Sequence, residues 1–367
     1  MAGVKPDEEN HTIMISPFEP RTGVPTEDVP LNQCQSFRIS YVPQSQLENF
    51  RNTLHNHVLA LVDYGRTPPT RFDSKGLHIS IDMEQYVEPN LTEVWTSSSA
   101  ISTNQANGVH MAFNGTMAAG HVQCEEFDGI PLEEVVGSAY TRILETLSAL
   151  GYPHLFRMWN YFPAINAEQT GLERYKRFCI GRHHAFFKRF REYKWVLPAA
   201  SAVGTRSGPF QVYFLAGKPK AVHIENPRQI SAYDYPSIYG PKSPSFARAT
   251  LASMPSWSPF FIAGTASIVG HNTQHEGDLF KQTNETVSNL NALLDHAKKD
   301  NDAVLGGNPS LNLLKVYVRH EQHIKSAKEV IEHHFGHRIP TLYLQGEMCR
   351  KDLLVEIEAL YTGERLS

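Results

Sequence analysis

The sequence predicts an α+β protein built from two similar units in tandem. Three observations support this: the second half has the order β-α-β-α-β-β, the middle of the chain repeats that order, and a segment rich in Pro, Tyr and Ser lies between them. The predicted organisation is a polar arm at residues 1–30, a first unit with an extension at 31–225, a connector at 226–259 and a second unit at 260–367.

The second unit begins with a strand at residues 260–268, and Asp278 is suited to cap the helix that follows. That helix keeps its apolar side chains at helical spacing, at Val287, Leu290, Leu293 and Leu294. The pattern then predicts, in order, a strand at 313–319, a helix from about Ile324 to Phe335, a strand beginning at Ile339 and a last strand at 353–360.

The first unit has elements of the same kinds in the same order. They are a strand at 109–115, a helix at 132–150, a strand at 156–162, a helix at 174–190, a strand start at Leu197-Pro198 and a strand at 211–217. Both second helices carry a double histidine, His183-His184 and His333-His334. Matching elements in the same order favour a duplication over a coincidence between two βαβ stretches.

The last strand carries two acids among branched aliphatic residues. Alternation places Glu356 and Glu358 on one face and Val355 and Ile357 on the other. Cys349 lies just upstream, across a predicted turn, so that a hairpin would bring a thiol and a carboxyl group into one place. From the pattern alone, Glu356 is either a solvated acid or a group for proton chemistry, and Cys349 is either a core filler or a functional thiol.

Composition excludes several classes of protein. Apolar residues make up 41% and charged residues 20%, the net charge is −4, and the basic residues are dispersed, so nucleic acid is not an expected partner. No apolar run is long enough to span a membrane, and the N-terminus lacks the apolar segment of a secretory signal. Four cysteines without a CxxC motif suit a reducing compartment, and we expect a cytoplasmic protein.

No cofactor is expected. His271 and His275 lie near Glu276 and Asp278, but there is no HExxH motif and the loop context does not suit a metal. No glycine-rich loop has the spacing that cradles phosphates.

The second unit resembles the RidA (YjgF) family. The motifs that carry this resemblance are Gly264-Thr265-Ala266, Gly277-Asp278, Gln282-Thr283, Asn289-Leu290 and Val355-Glu356-Ile357-Glu358-Ala359. It implies two RidA-like (chorismate mutase-like) units with mixed sheets and helices packed on one face. RidA proteins form trimers and usually hydrolyse imines, using an arginine directly after the proline of the penultimate strand. This chain has Thr341 there, which argues against imine hydrolysis.

From about Ser36 to its end, the chain more closely resembles the chorismatases, which are built from two such units. The most specific motifs are Tyr161-Phe162-Pro163-Ala164-Ile165-Asn166, Tyr175-Lys176-Arg177-Phe178-Cys179-Ile180-Gly181-Arg182, Ser245-Phe246-Ala247-Arg248-Ala249, Gly264-Thr265-Ala266-Ser267-Ile268-Val269-Gly270-His271, and Cys349 with Glu356. The family splits the enolpyruvyl ether of chorismate and releases pyruvate, without a cofactor. A glutamate at the Glu356 position is its proposed proton donor, and members that make 3-hydroxybenzoate have a cysteine at the Cys349 position.

The resemblance implies roles for further residues. Arg182 and Arg248 are expected to bind the two substrate carboxylates, with Arg157 and Arg177 as weaker candidates. Tyr175 and Tyr213 are expected to orient a ring hydroxyl or a carboxylate; Tyr213 occupies nearly the place in its unit that Glu356 has in the other. Glu358 is either solvated or a charged neighbour that keeps Glu356 protonated.

The expected reaction converts chorismate to 3-hydroxybenzoate and pyruvate, with 4-hydroxybenzoate left open as a second product. The alternatives are hydrolysis to a non-aromatic diol, imine deamination, and a non-catalytic protein that binds a small molecule. The expected assembly is a monomer or a homotrimer.

Overall fold

The protein is described from a computed structural model that covers residues 37–364, except 55–56, 66–69, 74–75, 87, 255–256 and 307. The expected arm at 1–30 lies outside the described residues. Three sheets, named here the N-terminal, middle and C-terminal sheets, contain most of the strands. In the described part of the chain, no helix has both the length and the apolar character needed to cross a membrane.

The N-terminal sheet has five strands in the order β1-β5-β2-β4-β3. Its elements are β1 (Phe37–Pro43), α1 (Leu47–Thr53), β2 (Val58–Tyr64), β3 (Arg71–Asp73), β4 (Gly76–Ile81) and β5 (Leu91–Ser97). The sequence pattern does not predict this sheet. Every residue of β2 is buried, so the strand shows no alternation, and α1 is only seven residues long.

The middle sheet has six strands in the order β12-β9-β13-β8-β7-β6. Its segment of the chain contains β6 (Ser102–Ala106), β7 (Val109–Phe113), β8 (Met117–Cys124), α2 (Leu132–Leu150), β9 (His154–Pro163), the short pair β10 (Glu168–Gln169) and β11 (Leu172–Glu173), α3 (Arg174–Arg189), β12 (Ala199–Thr205) and β13 (Phe210–Gly217). Helix α2 ends at Gly151, whose φ of 75° is the left-handed conformation that a helix end favours.

The C-terminal sheet has six strands in the order β14-β15-β16-β21-β19-β20. Its segment contains β14 (Ala221–Ile224), β15 (Ala249–Ala252), β16 (Trp257–Thr265), the short pair β17 (Ile268–Val269) and β18 (Asn272–Thr273), α4 (Leu279–Leu305), β19 (Ser310–Val318), α5 (Ile324–Phe335), β20 (Thr341–Gln345) and β21 (Val355–Glu364). Asp278 caps α4 as expected, because its side chain accepts a hydrogen bond from the backbone N–H of Lys281 at 3.0 Å.

The middle and C-terminal sheets have the same topology, strand for strand. In each, the strand after the second helix runs parallel to the strand before it, β12 beside β9 and β20 beside β19, and the last strand lies antiparallel in the interior. The predicted fold class, two tandem α+β units with mixed sheets, is confirmed.

Three details differ from the sequence prediction. The counterpart of β16 is β8 rather than residues 109–115, because β8 pairs with β13 as β16 pairs with β21. Strands β20 and β21 do not form a hairpin, because β19 lies between them. The expected connector at 226–259 contains β15 and the start of β16, which belong to the C-terminal sheet.

The N-terminal sheet repeats part of the same topology. Its strands β4, β2, β5 and β1 follow the order of β12, β9, β13 and β8, with β4 parallel to β2 and with β5 antiparallel to both β2 and β1. It has one short helix where the other sheets have two long ones. The segment at 37–97 is therefore a partial third unit.

The helices cover one face of each six-stranded sheet. Apolar side chains of α2 and α3 pack on the middle sheet, and those of α4 and α5 pack on the C-terminal sheet. The opposite faces of all three sheets share one core, which includes Trp95, Trp159, Tyr213 and Tyr317. Side chains that point inward from different sheets therefore meet at the centre of the protein.

Candidate active site

A cavity of about 210 Å³ lies between the middle and C-terminal sheets. Helix α3, strand β12, the loop before β15, the end of β16 and the turn before β21 form its walls. Of the six residues predicted for the site, five line it: Glu356, Cys349, Arg182, Tyr175 and Arg248. Segments that are distant in sequence thus bring these side chains together.

Glu356 lies on β21 with only 5% of its surface exposed. Its carboxyl group occupies the space above Gly264, where an added Cβ would come within 1.8 Å of Oε1. Strand β16 is irregular at this point, between Ile262 and Thr265, so the chain bends around the carboxyl group. Burial first, and then the charge of Glu358, raise the pKa of Glu356 to about 8, so that the carboxyl is protonated at neutral pH.

Glu358 is not solvated, because only 5% of its surface is exposed. Its carboxylate accepts hydrogen bonds from Trp159 Nε1 at 2.7 Å and the Tyr317 hydroxyl at 3.1 Å, and it lies 2.9 Å from Arg157 Nη2. Burial alone would raise the pKa of Glu358, but the charges of Arg157 and Lys315 hold the pKa below its usual value. The second of the two expectations for Glu358, a charged neighbour of Glu356, agrees with this geometry.

Tyr213 does not line the cavity, which corrects its predicted role in substrate binding. It is fully buried in the shared core, where its hydroxyl lies 2.8 Å from that of Tyr64 and accepts a hydrogen bond from Lys315 Nζ at 3.1 Å. The sequence placed Tyr213 at nearly the position in its unit that Glu356 has in the other, but that correspondence could not show that Tyr213 lies outside the cavity lining.

Arg182 projects from α3 into the cavity wall, and only 2% of its surface is exposed. Its guanidinium lies over the rings of Tyr140 and Phe186, at 5.1 Å and 5.6 Å. Its Nε and Nη2 atoms are buried and have no hydrogen-bond partner among the described residues. Since a buried cation without an anion is costly, this arrangement suits a negatively charged ligand.

Arg248 lies directly before β15 with 5% of its surface exposed. Its Nη2 atom donates hydrogen bonds to the backbone oxygen of Ile230 at 3.1 Å and to the hydroxyl of Tyr235 at 2.8 Å, while Nε is buried without a partner. Its backbone N–H donates to Glu225 at 3.4 Å. Arg248 is therefore held in place from one side and retains donor capacity.

Cys349 is half-buried in the turn between β20 and β21, close enough to Glu356 for its thiolate to be repelled by that carboxyl group. Burial first, and then Glu356, raise the pKa of Cys349 to about 12, so the thiol is neutral. Tyr175 lies nearby and shares a hydrogen bond with Cys179, which does not line the cavity. Cys349 can thus donate or occupy space but is not a thiolate.

Several cavity residues were not predicted. Arg350 stacks on Tyr239, with its guanidinium carbon 4.2 Å from the ring centroid, and donates to the backbone oxygen of His271 at 2.9 Å. The loop before β15 contributes Tyr235, Tyr239, Ser245 and Phe246. Arg350 could have been found from the sequence, because it is a basic residue directly after the predicted site residue Cys349. The loop residues could not, because the path of the loop depends on tertiary packing.

The two weaker arginine candidates lie outside the cavity lining. Arg157 pairs with Glu358 in the core, and Arg177 pairs with Glu133 at 2.6 Å while donating to the backbone oxygen of Gln169. Both guanidinium groups are occupied by protein partners, so neither is free to bind a substrate carboxylate.

The fold and this cavity define a duplicated α+β protein whose cavity combines a buried acid of raised pKa with two buried arginines. A family model described as chorismatase FkbO/Hyg5-like, N-terminal, matches residues 93–216. A 3-hydroxybenzoate synthase from Streptomyces hygroscopicus is 34% identical over 318 residues, which are 83% of this chain and 91% of that protein. A chorismatase from the same organism is 32% identical over 273 residues, which are 73% of this chain and 78% of that protein.

A solved chorismatase structure has the same fold over most of the chain. It superposes with a TM-score of 0.80 at 28% sequence identity, covering 88% of this chain and 98% of that protein. This chain belongs to the chorismatase FkbO/Hyg5 family.

Proposed function

We propose that this chorismatase-family enzyme converts chorismate to 3-hydroxybenzoate and pyruvate. The observation that carries the proposal is the pairing, in one cavity, of a buried acid of raised pKa, Glu356, with a buried arginine, Arg182, that has no anionic partner in the described part of the chain. An acid suits protonation of carbon, and a free guanidinium suits a carboxylate. The 3-hydroxybenzoate synthase from Streptomyces hygroscopicus, at 34% identity, supports the choice of product.

Binding rests on the two arginines. Chorismate has two carboxylates, and Arg182 and Arg248 each have a buried guanidinium atom without a partner in the cavity wall. Each would make a charge-assisted hydrogen bond that replaces the water lost on binding. Tyr175, which also lines the cavity, would orient a ring hydroxyl.

The first chemical step is transfer of the Glu356 proton to the terminal methylene carbon of the enolpyruvyl group. This carbon becomes a methyl group, and the positive charge is shared between the ether oxygen and its neighbouring carbon as an oxocarbenium ion. The Glu356 carboxylate formed in this step lies where it stabilises that cation. Carbon accepts protons slowly, which is why a fixed acid of raised pKa is suited to the step.

The second stage releases pyruvate and forms the aromatic ring. Water, or the neighbouring hydroxyl of the substrate, supplies the oxygen needed to break the ether. When water is the nucleophile, the ring product later loses one water as it becomes aromatic, which balances the water added. When the neighbouring hydroxyl is the nucleophile, its oxygen leaves with pyruvate and no water is added or lost, so by either route the two products together contain the atoms of chorismate. In the water route, the proton released by the attacking water and the proton lost from a ring carbon restore Glu356 and Cys349; in the hydroxyl route, the corresponding two protons restore Glu356 and protonate the phenol oxygen. The neutral thiol of Cys349 would donate to the departing hydroxyl.

The test is incubation of the purified protein with chorismate, with pyruvate measured by coupled lactate dehydrogenase and the ring product identified by chromatography. The surface variant Glu332→Gln is the matched control for a glutamate substitution. We expect pyruvate and 3-hydroxybenzoate in equal amounts. Pyruvate at the spontaneous rate would exclude a chorismatase activity, and a diol in place of the aromatic acid would assign the hydrolytic branch.

A further inference from the structure

Four charged side chains are buried together beside Glu356, and each comes from a different strand. Glu93 lies on β5, Arg157 on β9, Lys315 on β19 and Glu358 on β21, and none is more than 5% exposed. They form two close pairs, Arg157 with Glu358 at 2.9 Å and Lys315 with Glu93 at 2.6 Å. Lys315 Nζ also lies 3.9 Å from Glu358. The cluster thus contains two cations and two anions.

Glu358 is held as the carboxylate by its surroundings. The groups closest to it all donate: Arg157, Trp159 Nε1 at 2.7 Å and the Tyr317 hydroxyl at 3.1 Å. A carboxylate that accepts several charge-assisted hydrogen bonds stays ionised even when buried.

Within the described ranges, no cation is paired with Glu356 alone. The titratable and charged groups that face it are Glu358 on its own strand, Arg157 from β9, Arg248 from the segment before β15, Cys349 from the turn after β20 and, opposite it in the strand register, Tyr317 from β19. Arg157 is paired with Glu358, and Arg248 lies beside Glu225. Ionisation of Glu356 would therefore add a negative charge to a buried cluster that is already balanced.

We propose that Glu358 is a positioning residue for the reaction: its fixed negative charge, maintained by Arg157 and Lys315, keeps the proton on Glu356 until the substrate carbon accepts it. This inference deepens the proposed function, since it rests on Glu356 being the acid. It also assigns a role to the N-terminal sheet, because Glu93 pairs with Lys315 at 2.6 Å and so keeps that cation from neutralising Glu358, which lies 3.9 Å from it.

The sign of the effect follows from the charges. Glu358→Gln removes the negative neighbour and leaves Arg157 without an anion, and both changes favour ionised Glu356. The variant should lose its active acid at lower pH than the native enzyme. Glu358→Asp keeps the charge and should keep the native profile. Glu93→Gln frees Lys315 to neutralise Glu358 and should act in the same direction as Glu358→Gln, but less strongly because Glu358 itself keeps its charge.

The test measures kcat/KM for chorismate against pH in the native enzyme and the three variants. We expect the alkaline decline of Glu358→Gln to move toward acid by about one pH unit or more, as removal of a close like charge requires. Glu358→Asp should stay within a few tenths of a unit of the native enzyme. An unmoved decline in Glu358→Gln, or an equal move in Glu358→Asp, would overturn the proposal.

A second readout does not depend on turnover. A protonated carboxyl group gives an infrared band, and the band that is lost in Glu356→Gln belongs to Glu356. That band reports the protonation of Glu356 in the free protein. This band should titrate at lower pH in Glu358→Gln than in the native protein, even if chorismate proves not to be the substrate. If Glu358→Gln does not fold, Glu93→Gln provides the same measurement, and an unchanged titration there would count against the proposal.

Discussion

The carboxyl group of Glu356 occupies the place that a side chain at residue 264 would need. An added Cβ on Gly264 would lie 1.8 Å from Glu356 Oε1 and 2.9 Å from Ser201 Oγ. Ser201 in turn accepts a hydrogen bond from Arg157 at 2.6 Å and from the backbone N–H of Gly264 at 3.0 Å. The glycine therefore sets the position of the acid.

Gly264→Ala should displace the acid without unfolding the protein, because the end of a glutamate side chain can rotate away. A misplacement of about 1 Å at a reacting group costs on the order of 100-fold in rate, and we expect a loss of that size in kcat. Gly137→Ala is the matched control, since its Cβ would meet atoms no closer than 3.6 Å. Native-like activity in Gly264→Ala would show that the carboxyl position is not critical.

Activity and stability should both depend on the protonation of Glu356. The active form is the acid, so kcat/KM should be level below the folded pKa of about 8 and decline above it. Since the folded pKa exceeds the unfolded value near 4.5, the stabilisation is full below 4.5 and is lost as pH rises toward 8. Denaturation of native protein and Glu356→Gln across this range should show stability falling more steeply with pH in the former, since the half-buried Glu225, whose pKa is raised to about 7, contributes equally to both; parallel curves would refute a raised pKa of Glu356.

Arg182→Met should stabilise the free protein while weakening chorismate binding. The substitution removes a buried cation that has no protein anion, and we expect a gain of about 1 kcal/mol in the free energy of unfolding. Arg177→Met on the same helix is the opposite case, because it breaks the pair with Glu133 and should destabilise. Thermal melts and calorimetric titration measure both effects. A destabilised Arg182→Met that binds chorismate normally would mean that Arg182 is structural.

Cys349→Ala should change the product rather than the rate of ether cleavage. The proposed thiol acts after pyruvate leaves, so pyruvate formation should stay within a few-fold while the ring product shifts from the aromatic acid toward the diol. Cys124→Ala removes another half-buried thiol outside the cavity lining and should leave the product unchanged. An unaltered product in Cys349→Ala would remove the thiol from the mechanism.

The two long-helix units and most of the site could be predicted from local patterns. Helical spacing identified α4, alternation placed Glu356 and Glu358 on one strand face, and the family motifs selected Arg182, Arg248 and Cys349. Alternation could not show which of Glu356 and Glu358 lines the cavity, because both side chains project from the same face of the strand. Only tertiary packing decides which of the two reaches the cavity.

The partial third unit and the buried charges were beyond local patterns. Glu93 and Lys315 are 222 positions apart in the sequence and lie on strands of two different sheets. Their side chains nevertheless form an ion pair at 2.6 Å. Nothing in the local sequence of either residue shows that partner. The loop that carries Tyr235 and Tyr239 has no hydrophobic periodicity from which its path could be predicted. Its position beside the cavity follows from the packing of the middle and C-terminal sheets.

The most direct test of the central claim compares pyruvate release by the native enzyme and by Glu356→Gln at neutral pH, with chorismate affinity measured on both. Loss of a general acid should lower kcat by about 100-fold to 10,000-fold, while the isosteric amide leaves affinity within a few-fold. Native-like turnover by Glu356→Gln would contradict the assignment of Glu356 as the proton donor.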